Sequence, residues 1–595
     1  MFKMFMMLPW KVKTSLLLGV FFILINVLIQ LTIPIFISQF IKMMTVTSEN
    51  SETKIVLFNT FTVLEGSTDV VYKQLLVLLI ILIISAVTTS MASVVATTHG
   101  SENCSEFFRN KFFSKVQKLS LRDISKITVE SLMTRVSNDI AQYWEFLVLA
   151  TSSLVRAPLL IVGGIVFALL TDLTLSTSII IILPLMVIVT IAILHMSKPL
   201  MYKNQVILDQ ITKEVDENIL GARIIKAYNL QEIQHKKFLE VNQKWINNQK
   251  KINNIFSFGD PFFFALINLA VVVVYGISGH ALSNNSLTAE DLANINIFID
   301  YAFQISFGVL IFSQFLIVAF RAKVSSKRIL EVIEYPVEEF ENKNGIYFDS
   351  NDKFSIEFKD FNFKYFENSK EYVLKDINFK VEPNSVLGII GPTGSGKSTI
   401  ANLLMSNYEY KEGSIKIANK EVKEINTVNL RDNVNIVYQE ALLYSGTVKS
   451  NIMFSKPNAT EEEFQKAVKN SAASDIINTF TERENRKVEQ RGKNFSGGQK
   501  QRISIARTLL MDPKVLILDD STSALDEITA KKIVQNIKNN YSCTTIIISQ
   551  KISSIKNADK IIIMDKGQIA SIGTHQELLE SNIWYKELNK NQLEQ

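Results

Sequence analysis

The sequence predicts two parts: an α-helical membrane domain with six transmembrane helices, followed by a soluble α/β domain. Three observations lead to this fold class. Apolar residues make up 47% of the 595 residues and the mean hydropathy is +0.17, although 20% of the residues are charged. Long apolar stretches fill the first half of the chain. The second half alternates short apolar strands with glycine-rich turns.

Six apolar stretches are long enough to cross a bilayer, because about 20 helical residues span about 30 Å of hydrocarbon. Arg156 is the one charge in Phe146–Thr171, and Asp300 is the one charge in Leu292–Phe320. Helices buried in a soluble core would be shorter and would show a polar face, and the first stretch is too long for the core of a signal peptide. The predicted spans are 14–41, 74–98, 146–171, 173–196, 258–282 and 292–320.

Basic residues are concentrated in two long connections, His99–Ala141 and Lys198–Asn254. The turn at Asp172 and the loop Ser283–Asp291 contain no Lys or Arg. By the positive-inside rule, the two basic connections and both termini are cytoplasmic, and the chain is a multi-pass protein of the cell membrane. Apolar residues of the basic connections keep helical spacing, which predicts that these segments are helical extensions of the spans.

Charge and cysteine content exclude several classes of protein. There are 63 Lys and Arg against 58 Asp and Glu, a net charge of +5, which is too small for a protein that binds nucleic acid by a concentrated basic surface. We therefore predict no nucleic-acid partner. Cys104 and Cys543 are the two cysteines and no CxxC is present, which excludes a disulfide framework and a structural zinc site.

The composition changes at Tyr335-Pro336, where an acidic, Asn-rich run extends to Asp352. Beyond this run, the pattern Phe354-Ser-Ile-Glu-Phe begins a series of strands. The predicted domains are a transmembrane domain at 1–335, a linker at 336–352 and an α/β domain at 353–595.

The segment Gly391-Pro-Thr-Gly-Ser-Gly-Lys-Ser-Thr399 matches the phosphate-binding pattern GxxxxGK[ST]. It follows the apolar strand Ser385–Ile390 and leads into the helical stretch Ile400–Met405, which is the context that the motif requires. Backbone N–H groups of such a loop wrap phosphates, the Lys reaches the β- and γ-phosphates, and the Ser binds Mg²⁺. The candidate nucleotide-binding residues of this loop are Gly391, Thr393, Gly394, Ser395, Gly396, Lys397, Ser398 and Thr399.

A second anchor for Mg²⁺ is predicted at Asp519. The apolar strand Val515–Leu518 ends in Asp519-Asp520. A carboxylate at the carboxyl end of a parallel strand beside the phosphate loop lies where Mg²⁺ needs a further ligand. The phosphate loop and Asp519 thus predict a nucleoside triphosphate and Mg²⁺ as cofactors, and the resemblance described next implies that the nucleotide is ATP.

Further motifs resemble those of ATP-binding cassette (ABC) transporters. Phe495-Ser-Gly-Gly-Gln499, followed by Lys-Gln-Arg502, is similar to the family's signature sequence. In the membrane half, Leu132–Asp139 and Val215–Tyr228 resemble the intracellular-loop motifs of exporters in which six spans are fused to one cassette. Other matches in the cassette are Gln439 in Val437-Tyr-Gln-Glu-Ala-Leu-Leu-Tyr-Ser-Gly446, Tyr365 ahead of the phosphate loop, and Ser523-Ala-Leu-Asp526.

The resemblance covers nearly the whole chain and implies an ABC half-transporter of the type IV exporter fold, with a helical subdomain at about 440–511 inserted in the P-loop cassette. It implies that Tyr365 stacks on adenine and that Gln439 contacts Mg²⁺. Two half-transporters would dimerise head to tail, with two ATP molecules between the cassettes. The signature residues, which would bind the γ-phosphate of a nucleotide held by the opposite subunit, are Ser496, Gly497, Gly498 and Gln499.

Two positions depart from the family pattern at the reaction centre. Asp520 stands where the family usually has Glu, and Gln550 stands where it usually has His. With Gln439, these are the candidate catalytic residues. Neutral drift at two tolerant positions is the alternative. The preferred interpretation is a degenerate site in one subunit of a heterodimeric exporter, whose different partner chain carries the Glu and the His.

The spans are oily with scattered amides (Asn268, Asn294 and Gln304), which suits a small amphipathic substrate such as a drug, lipid or peptide. A weak catalytic site would equally suit an ATP-gated channel or a regulatory membrane subunit, and that alternative stays open. A soluble cassette ATPase of the DNA-repair type is excluded by the six spans. Export is predicted by analogy with the family.

Overall fold

In the computed structural model, the described residues are 1–45, 52–57, 61–283, 289–336, 342–366 and 369–593. They form two compact units. The first comprises Met1–Gln117 and Glu130–Tyr335, and the second comprises Lys118–Val129 and Pro336–Gln595. Parts of the predicted linker 336–352 and of the predicted outer loop 283–291 lie outside the described residues, so the domain boundaries stay predictions.

The first unit is built from long helices and one small hairpin. Strands β1 (Glu52–Leu57) and β2 (Phe61–Ser67) pair antiparallel between the first two long helices. The first four helices are α1 (Phe2–Met7), α2 (Trp10–Thr45), α3 (Thr68–Val116) and α4 (Leu121–Ile127), of which α4 belongs to the second unit. The rest are α5 (Val129–Thr134), α6 (Ile140–Leu149), α7 (Val155–Thr171), α8 (Leu173–Leu220), α9 (Ala222–Ala227), α10 (Gln231–Ser283) and α11 (Ala289–Ile333).

Within the described residues, six helical segments are long and apolar enough to cross a membrane, which confirms the predicted number of spans. Helices of up to 53 residues, as in α10, confirm that the basic connections extend the spans. Two π-helical turns, Arg135–Asp139 and Ala150–Leu154, interrupt the third span region. Neither these turns nor the hairpin of β1 and β2 is signalled in the sequence.

Close helix packing in the first unit depends on small residues. A side chain at Gly19 of α2 would collide with Thr97 of α3, and a side chain at Gly100 of α3 would collide with Leu16 of α2. Small residues at such crossings let two backbones approach, which is a common way to associate helices in lipid.

The second unit is an α/β domain whose described residues form three sheets: a main sheet, a second sheet and a pair of two-residue strands. Its strands are β3 (Ile356–Phe363), β4 (Leu374–Val381), β5 (Val386–Ile390), β6 (Glu412–Ile417), β7 (Lys420–Glu421), β8 (Val434–Val437), β9 (Gly446–Thr447), β10 (Lys487–Val488), β11 (Val515–Asp519), β12 (Thr544–Ile548), β13 (Lys560–Asp565) and β14 (Gln568–Gly573). The main sheet has the order β14-β13-β5-β12-β11-β8, and the second sheet has the order β4-β3-β6-β7.

Helices cover the main sheet and form an inserted subdomain. They are α12 (Lys397–Leu404), α13 (Thr427–Asn433), α14 (Val448–Ile452), α15 (Glu461–Asn470), α16 (Ser474–Ile477), α17 (Gly497–Leu509), α18 (Glu527–Asn540), α19 (Ile552–Ile555), α20 (His575–Ser581) and α21 (Ile583–Leu593). Helices α14 to α17 lie between β8 and β11 in the chain, which is the predicted place of the helical subdomain.

The register of the main sheet positions the candidate site. Strands β5, β12 and β11 are parallel neighbours, with Asp519 opposite Ile548. On β5, Val386 and Ile390 pack into one apolar cluster, whereas Leu387 and Ile389 pack into another. Such two-sided burial explains the unbroken apolar runs of these strands. Because parallel strands end at one edge, the segments after β5, β11 and β12 meet there.

Candidate nucleotide site

A cavity of about 340 Å³ lies at this edge of the main sheet. It brings together residues from the phosphate loop, from the ends of β11 and β12, and from the segments before β4 and after β8. The predicted residues that line it are Tyr365, Thr393, Gly394, Gly396, Lys397, Ser398, Thr399, Gln439, Asp519, Asp520 and Gln550. Val373, Ile548 and Ser549 also line it and carry no sequence signal.

The phosphate loop has the backbone that its glycines allow. Gly394 has φ +83° and Gly396 has φ +98°, both in the left-handed region where a side chain is strained. Gly396 directly precedes α12, so the free N–H groups at the start of that helix lie at the loop. Gly391 and Ser395 belong to the same loop, and a side chain at Gly391 would collide with the carbonyl oxygen of Met564.

Lys397 is held inside its own loop. Its Nζ donates hydrogen bonds to the carbonyl oxygens of Gly391 at 2.8 Å and Pro392 at 2.7 Å. Burial lowers the pKa of Lys397, and the carboxylates of Asp520 and Asp519 partly oppose that effect. The ammonium group is thus placed beside the phosphate loop by neutral carbonyl groups.

Two oxygen atoms suited to Mg²⁺ lie next to each other. The hydroxyl of Ser398 donates a hydrogen bond to Oδ1 of Asp519 at 2.9 Å. Asp519 is 6% exposed; burial raises its pKa, the bond from Ser398 lowers it, and the charge of Asp520 raises it. A hydroxyl and a carboxylate are hard ligands of the kind that Mg²⁺ prefers, and the two side chains fit that ion.

Asp520 is oriented from several sides. Its φ is +47°, and its backbone N–H donates to the carbonyl oxygen of Ile548 at 2.9 Å. Nε2 of Gln439 donates to its Oδ2 at 3.0 Å. Burial raises the pKa of Asp520, whereas the bond from Gln439 and the charges of Lys397 and Lys551 lower it. Gln439 therefore lies beside the candidate catalytic carboxylate.

Tyr365 lies in the same cavity, with its hydroxyl 2.9 Å from Oγ1 of Thr399. Its ring packs edge-on against Phe363, with centroids 5.1 Å apart, and against Tyr408, with centroids 4.9 Å apart. Tyr408 was not predicted from the sequence, because it belongs to no motif and contacts Tyr365 only in the folded chain. Burial raises the pKa of the Tyr365 phenol, whereas its hydrogen bond with Thr399 lowers it.

The signature residues form a separate structure. Ser496 caps the N-terminus of α17: its hydroxyl accepts from the backbone N–H of Gln499, whose Oε1 accepts from the backbone N–H of Ser496. Ser496 and Gly497 are exposed, and Gly498 packs close to the carbonyl oxygen of Ala524. None of the four signature residues lines the cavity described above.

Comparison with known proteins agrees with both units. Residues 374–523 match the family "ABC transporter" and residues 16–306 match "ABC transporter transmembrane region". The ABC transporter ATP-binding protein MG014 of Mycoplasma genitalium is 32% identical over 98% of this chain and 97% of its own length. The chain belongs to the ABC transporter family. This ABC transporter is also 31% identical to the multidrug export ATP-binding/permease protein YgaD of Bacillus subtilis, over 81% and 82% of the two lengths.

The fold of this ABC transporter is that of a solved exporter. A bacterial Atm1-family ABC exporter with ATP bound matches 98% of both chains with a TM-score of 0.78 at 22% identity. The fold class predicted from the sequence is thus confirmed. The protein is a multi-pass membrane protein with a cytoplasmic ATPase cassette, and ABC cassettes bind ATP.

Proposed function

We propose that this chain is one half of an ATP-driven exporter, that its own ATP site is degenerate, and that its partner is a different half-transporter. One observation carries the proposal: both departures from the family pattern, Asp520 and Gln550, line the same cavity as Lys397 and Asp519. Two substitutions that meet at one reaction centre are hard to treat as independent drift.

The chemistry of the two side chains supports slow hydrolysis at this site. Asp is one methylene shorter than Glu, so the carboxylate of Asp520 lies farther from the position of an attacking water. A well-placed general base contributes about 10²–10⁴-fold to such reactions, and a displaced one forfeits much of that. Gln550 can donate a hydrogen bond to a phosphate oxygen but carries no charge. Bound Mg²⁺ would supply the charge that neutralises the phosphates.

The intact signature supports a role in a partner's site. Ser496 and Gly497 are exposed at the start of a 13-residue helix, where backbone N–H groups can meet an anion. These residues lie outside this chain's own cavity, as expected if they complete the site of another subunit. A partner with Glu and His at the two departing positions would then form the competent site.

Coupling to the membrane half is supported by α4. This helix lies between two span regions in the sequence, yet its segment Lys118–Val129 clusters with the cassette. The guanidinium carbon of Arg122 lies 5.7 Å from the centroid of the Phe366 ring, directly after Tyr365. Because Tyr365 and Phe366 are adjacent in the chain, a change at Tyr365 can reach α4 through the contact of Phe366 with Arg122. The exporter direction is supported by the relative YgaD, which is named for multidrug export.

Native mass spectrometry on the tagged chain, extracted from its own membranes, tests the proposal. We expect a complex of this 67.4 kDa chain with a different subunit of similar mass whose cassette carries Glu and His at the two positions. A complex of two identical chains would refute the heterodimer. ATP-dependent conductance without turnover in the purified assembly would refute the pump and favour the gated channel.

A further inference from the structure

A polar cluster lies in the middle of the apolar spans of the first unit. It consists of Gln30 on α2, Arg156 on α7, and Tyr301 and Gln304 on α11. Each residue lies near the centre of its predicted span. Polar groups at such positions are costly unless they are hydrogen-bonded or used, so a cluster drawn from three helices calls for an explanation.

A proline explains how α11 is tied to α2. Pro34 lies inside α2 and has no N–H to donate to the carbonyl oxygen of Gln30, four residues earlier. Nε2 of Gln304 donates to that carbonyl oxygen at 3.3 Å. One residue farther, the hydroxyl of Tyr301 donates to the carbonyl oxygen of Leu31 at 3.0 Å. The amide of Gln304 is thereby oriented, and its Oε1 is buried without a hydrogen-bond partner.

The positive charge of the cluster is not neutralised by a carboxylate. Nη2 of Arg156 donates to Oε1 of Gln30 at 2.8 Å, while its Nε is buried and unpartnered. Among the described residues, none of the ion pairs involves Arg156, and Asp300, one turn before Gln304 on α11, is not within ion-pair distance of it. A guanidinium held by one neutral amide oxygen in hydrocarbon retains most of its electrostatic cost.

We propose that Arg156 and Gln304 form the site for the anionic group, a carboxylate or a phosphate, of an amphiphilic substrate. Arg156 is partly exposed, so its remaining N–H groups can move to an incoming anion, with which a guanidinium pairs in a planar, bidentate way. Oε1 of Gln304 can accept from an O–H or N–H beside that anion.

The ligand is called a substrate because this inference rests on the proposed export function. The site should select ligands by their charge. An amphiphile with an anionic group gains the attraction of Arg156, whereas a neutral analogue of the same length does not. Charge-assisted hydrogen bonds contribute about 1.5–3 kcal/mol, which corresponds to a preference of roughly tenfold to a hundredfold. A cationic amphiphile is repelled.

The test measures binding of two matched probes to the full assembly in phosphatidylcholine nanodiscs without nucleotide. The probes are N-dodecanoylglycine and its neutral amide, N-dodecanoylglycinamide. We expect the wild-type assembly to prefer the acid by about tenfold or more, Arg156→Gln to remove the preference, and Arg156→Lys to restore part of it. Arg321→Gln is the control, because Arg321 lies farther along α11 and pairs with Glu145 at 3.8 Å; it should leave the preference unchanged.

Three outcomes would overturn the proposal. They are no preference in the wild-type assembly, an unchanged preference in Arg156→Gln, or equal losses in Arg156→Gln and Arg321→Gln. If Arg156→Gln fails to assemble, Gln304→Leu serves instead, and we expect it to weaken the binding of the acid. Since this experiment needs neither hydrolysis nor transport, a failure of the export proposal is seen separately, as absent ATP-driven movement of the acid into vesicles.

A second arm separates substrate from resident lipid, which could supply the same phosphate chemistry. Phosphatidylglycerol replaces part of the phosphatidylcholine, and native mass spectrometry follows retained lipid. If phosphatidylglycerol is retained in an Arg156-dependent way and abolishes binding of the acid, the site holds a structural lipid and the proposal fails. If the acid still binds with its preference, the site serves a substrate.

Discussion

The carboxylate of Asp520 accepts a hydrogen bond from Gln439 at 3.0 Å and shares its cavity with Gln550. Replacing Asp520→Glu and Gln550→His together should raise hydrolysis at this chain's own site by at least roughly tenfold, since a positioned base contributes about 10²–10⁴-fold. The measurement is ATP turnover of the assembled pair in which the partner's own site has been disabled. The single variants and the double variant combined with Lys397→Ala serve as controls.

The same experiment can contradict the assignment. If turnover of the double variant stays flat while nucleotide binding is unchanged, Asp520 and Gln550 do not limit hydrolysis, or the partner's signature is itself degenerate. A reciprocal transplant of Ser496–Gln499 into the partner decides between those two causes.

The hydrogen bond between Ser398 and Asp519 leads to a prediction about how nucleotide binding depends on Mg²⁺. Asp519→Asn removes the anionic ligand but keeps the size of the side chain, so the fold should persist. Mg²⁺ should then raise nucleotide affinity less than it does in the unmodified chain, because Ser398 and the phosphates remain as ligands but the carboxylate is lost. Titration of a fluorescent ATP analogue with and without a chelator measures this. An undiminished effect of Mg²⁺ in Asp519→Asn would rule out Asp519 as a metal ligand.

At the residue scale, the sequence predicted those parts of the site whose chemistry is local. The phosphate loop is one contiguous motif, and Asp519 follows from the rule that parallel strands end at one edge. Tyr408 and Val373 could not be predicted in the same way. Tyr408 contacts Tyr365, and Val373 lines the cavity, only because the chain folds, and neither residue belongs to a recognisable motif.

The C-terminal helix α21 is an element that no motif pointed to, although it reaches the candidate site. Oε1 of Gln592 accepts from the backbone N–H of Ile552 at 2.8 Å, and its Nε2 donates to the carbonyl oxygen of Gln550 at 2.9 Å. The side chain of Gln592 thus bonds to the backbone at both ends of the segment Gln550–Ile552. We expect α21 to stabilise the backbone of this segment.

Gln592→Ala tests that role. Loss of one hydrogen bond of ordinary net strength should speed exchange of the Ile552 amide by about twofold to tenfold, as measured by hydrogen–deuterium exchange on peptides covering 549–553 in the full assembly. Asn591→Ala, at the exposed neighbouring position, is the matched control and should leave that peptide unchanged. Equal exchange in all three proteins would mean that Gln592 does not stabilise the segment.

Elements were predictable where the pattern is long and regular. Six apolar stretches give six spans because hydrocarbon thickness sets their length. The π-helical turns Arg135–Asp139 and Ala150–Leu154 and the hairpin of β1 and β2 were not predictable. An extra residue in a turn of helix, or a short pairing of two strands, leaves the hydrophobic period almost unchanged.

On the scale of the whole molecule, the candidate nucleotide-binding residues of the cassette lie in two separate places. The cavity holds the phosphate loop and the candidate magnesium ligands, whereas the signature lies exposed at the start of α17. The signature is exposed and intact, whereas Asp520 and Gln550 in the cavity depart from the family pattern. We therefore expect changes at the two places to lower the ATPase rate of the assembly by different amounts. In a symmetric pair of identical chains, by contrast, both places would serve equivalent sites.

Gly497→Asp and Lys397→Ala measure this inequality. A Cβ atom added at Gly497 would meet only Cβ of Ala524, at 3.8 Å, so a side chain can start there without a clash, and Asp is favourable in the first turn of a helix. Its negative charge would repel a phosphate held by the partner. Gly497→Asp should therefore lower the ATPase rate of the assembly by at least roughly tenfold, since removing one transition-state donor already costs about 10²-fold or more. Lys397→Ala, which disables only the site proposed to be degenerate, should leave the larger share of activity, and Gly497→Ala should fall between the two. Equal losses from Gly497→Asp and Lys397→Ala would show two equivalent sites and would contradict the asymmetric assembly.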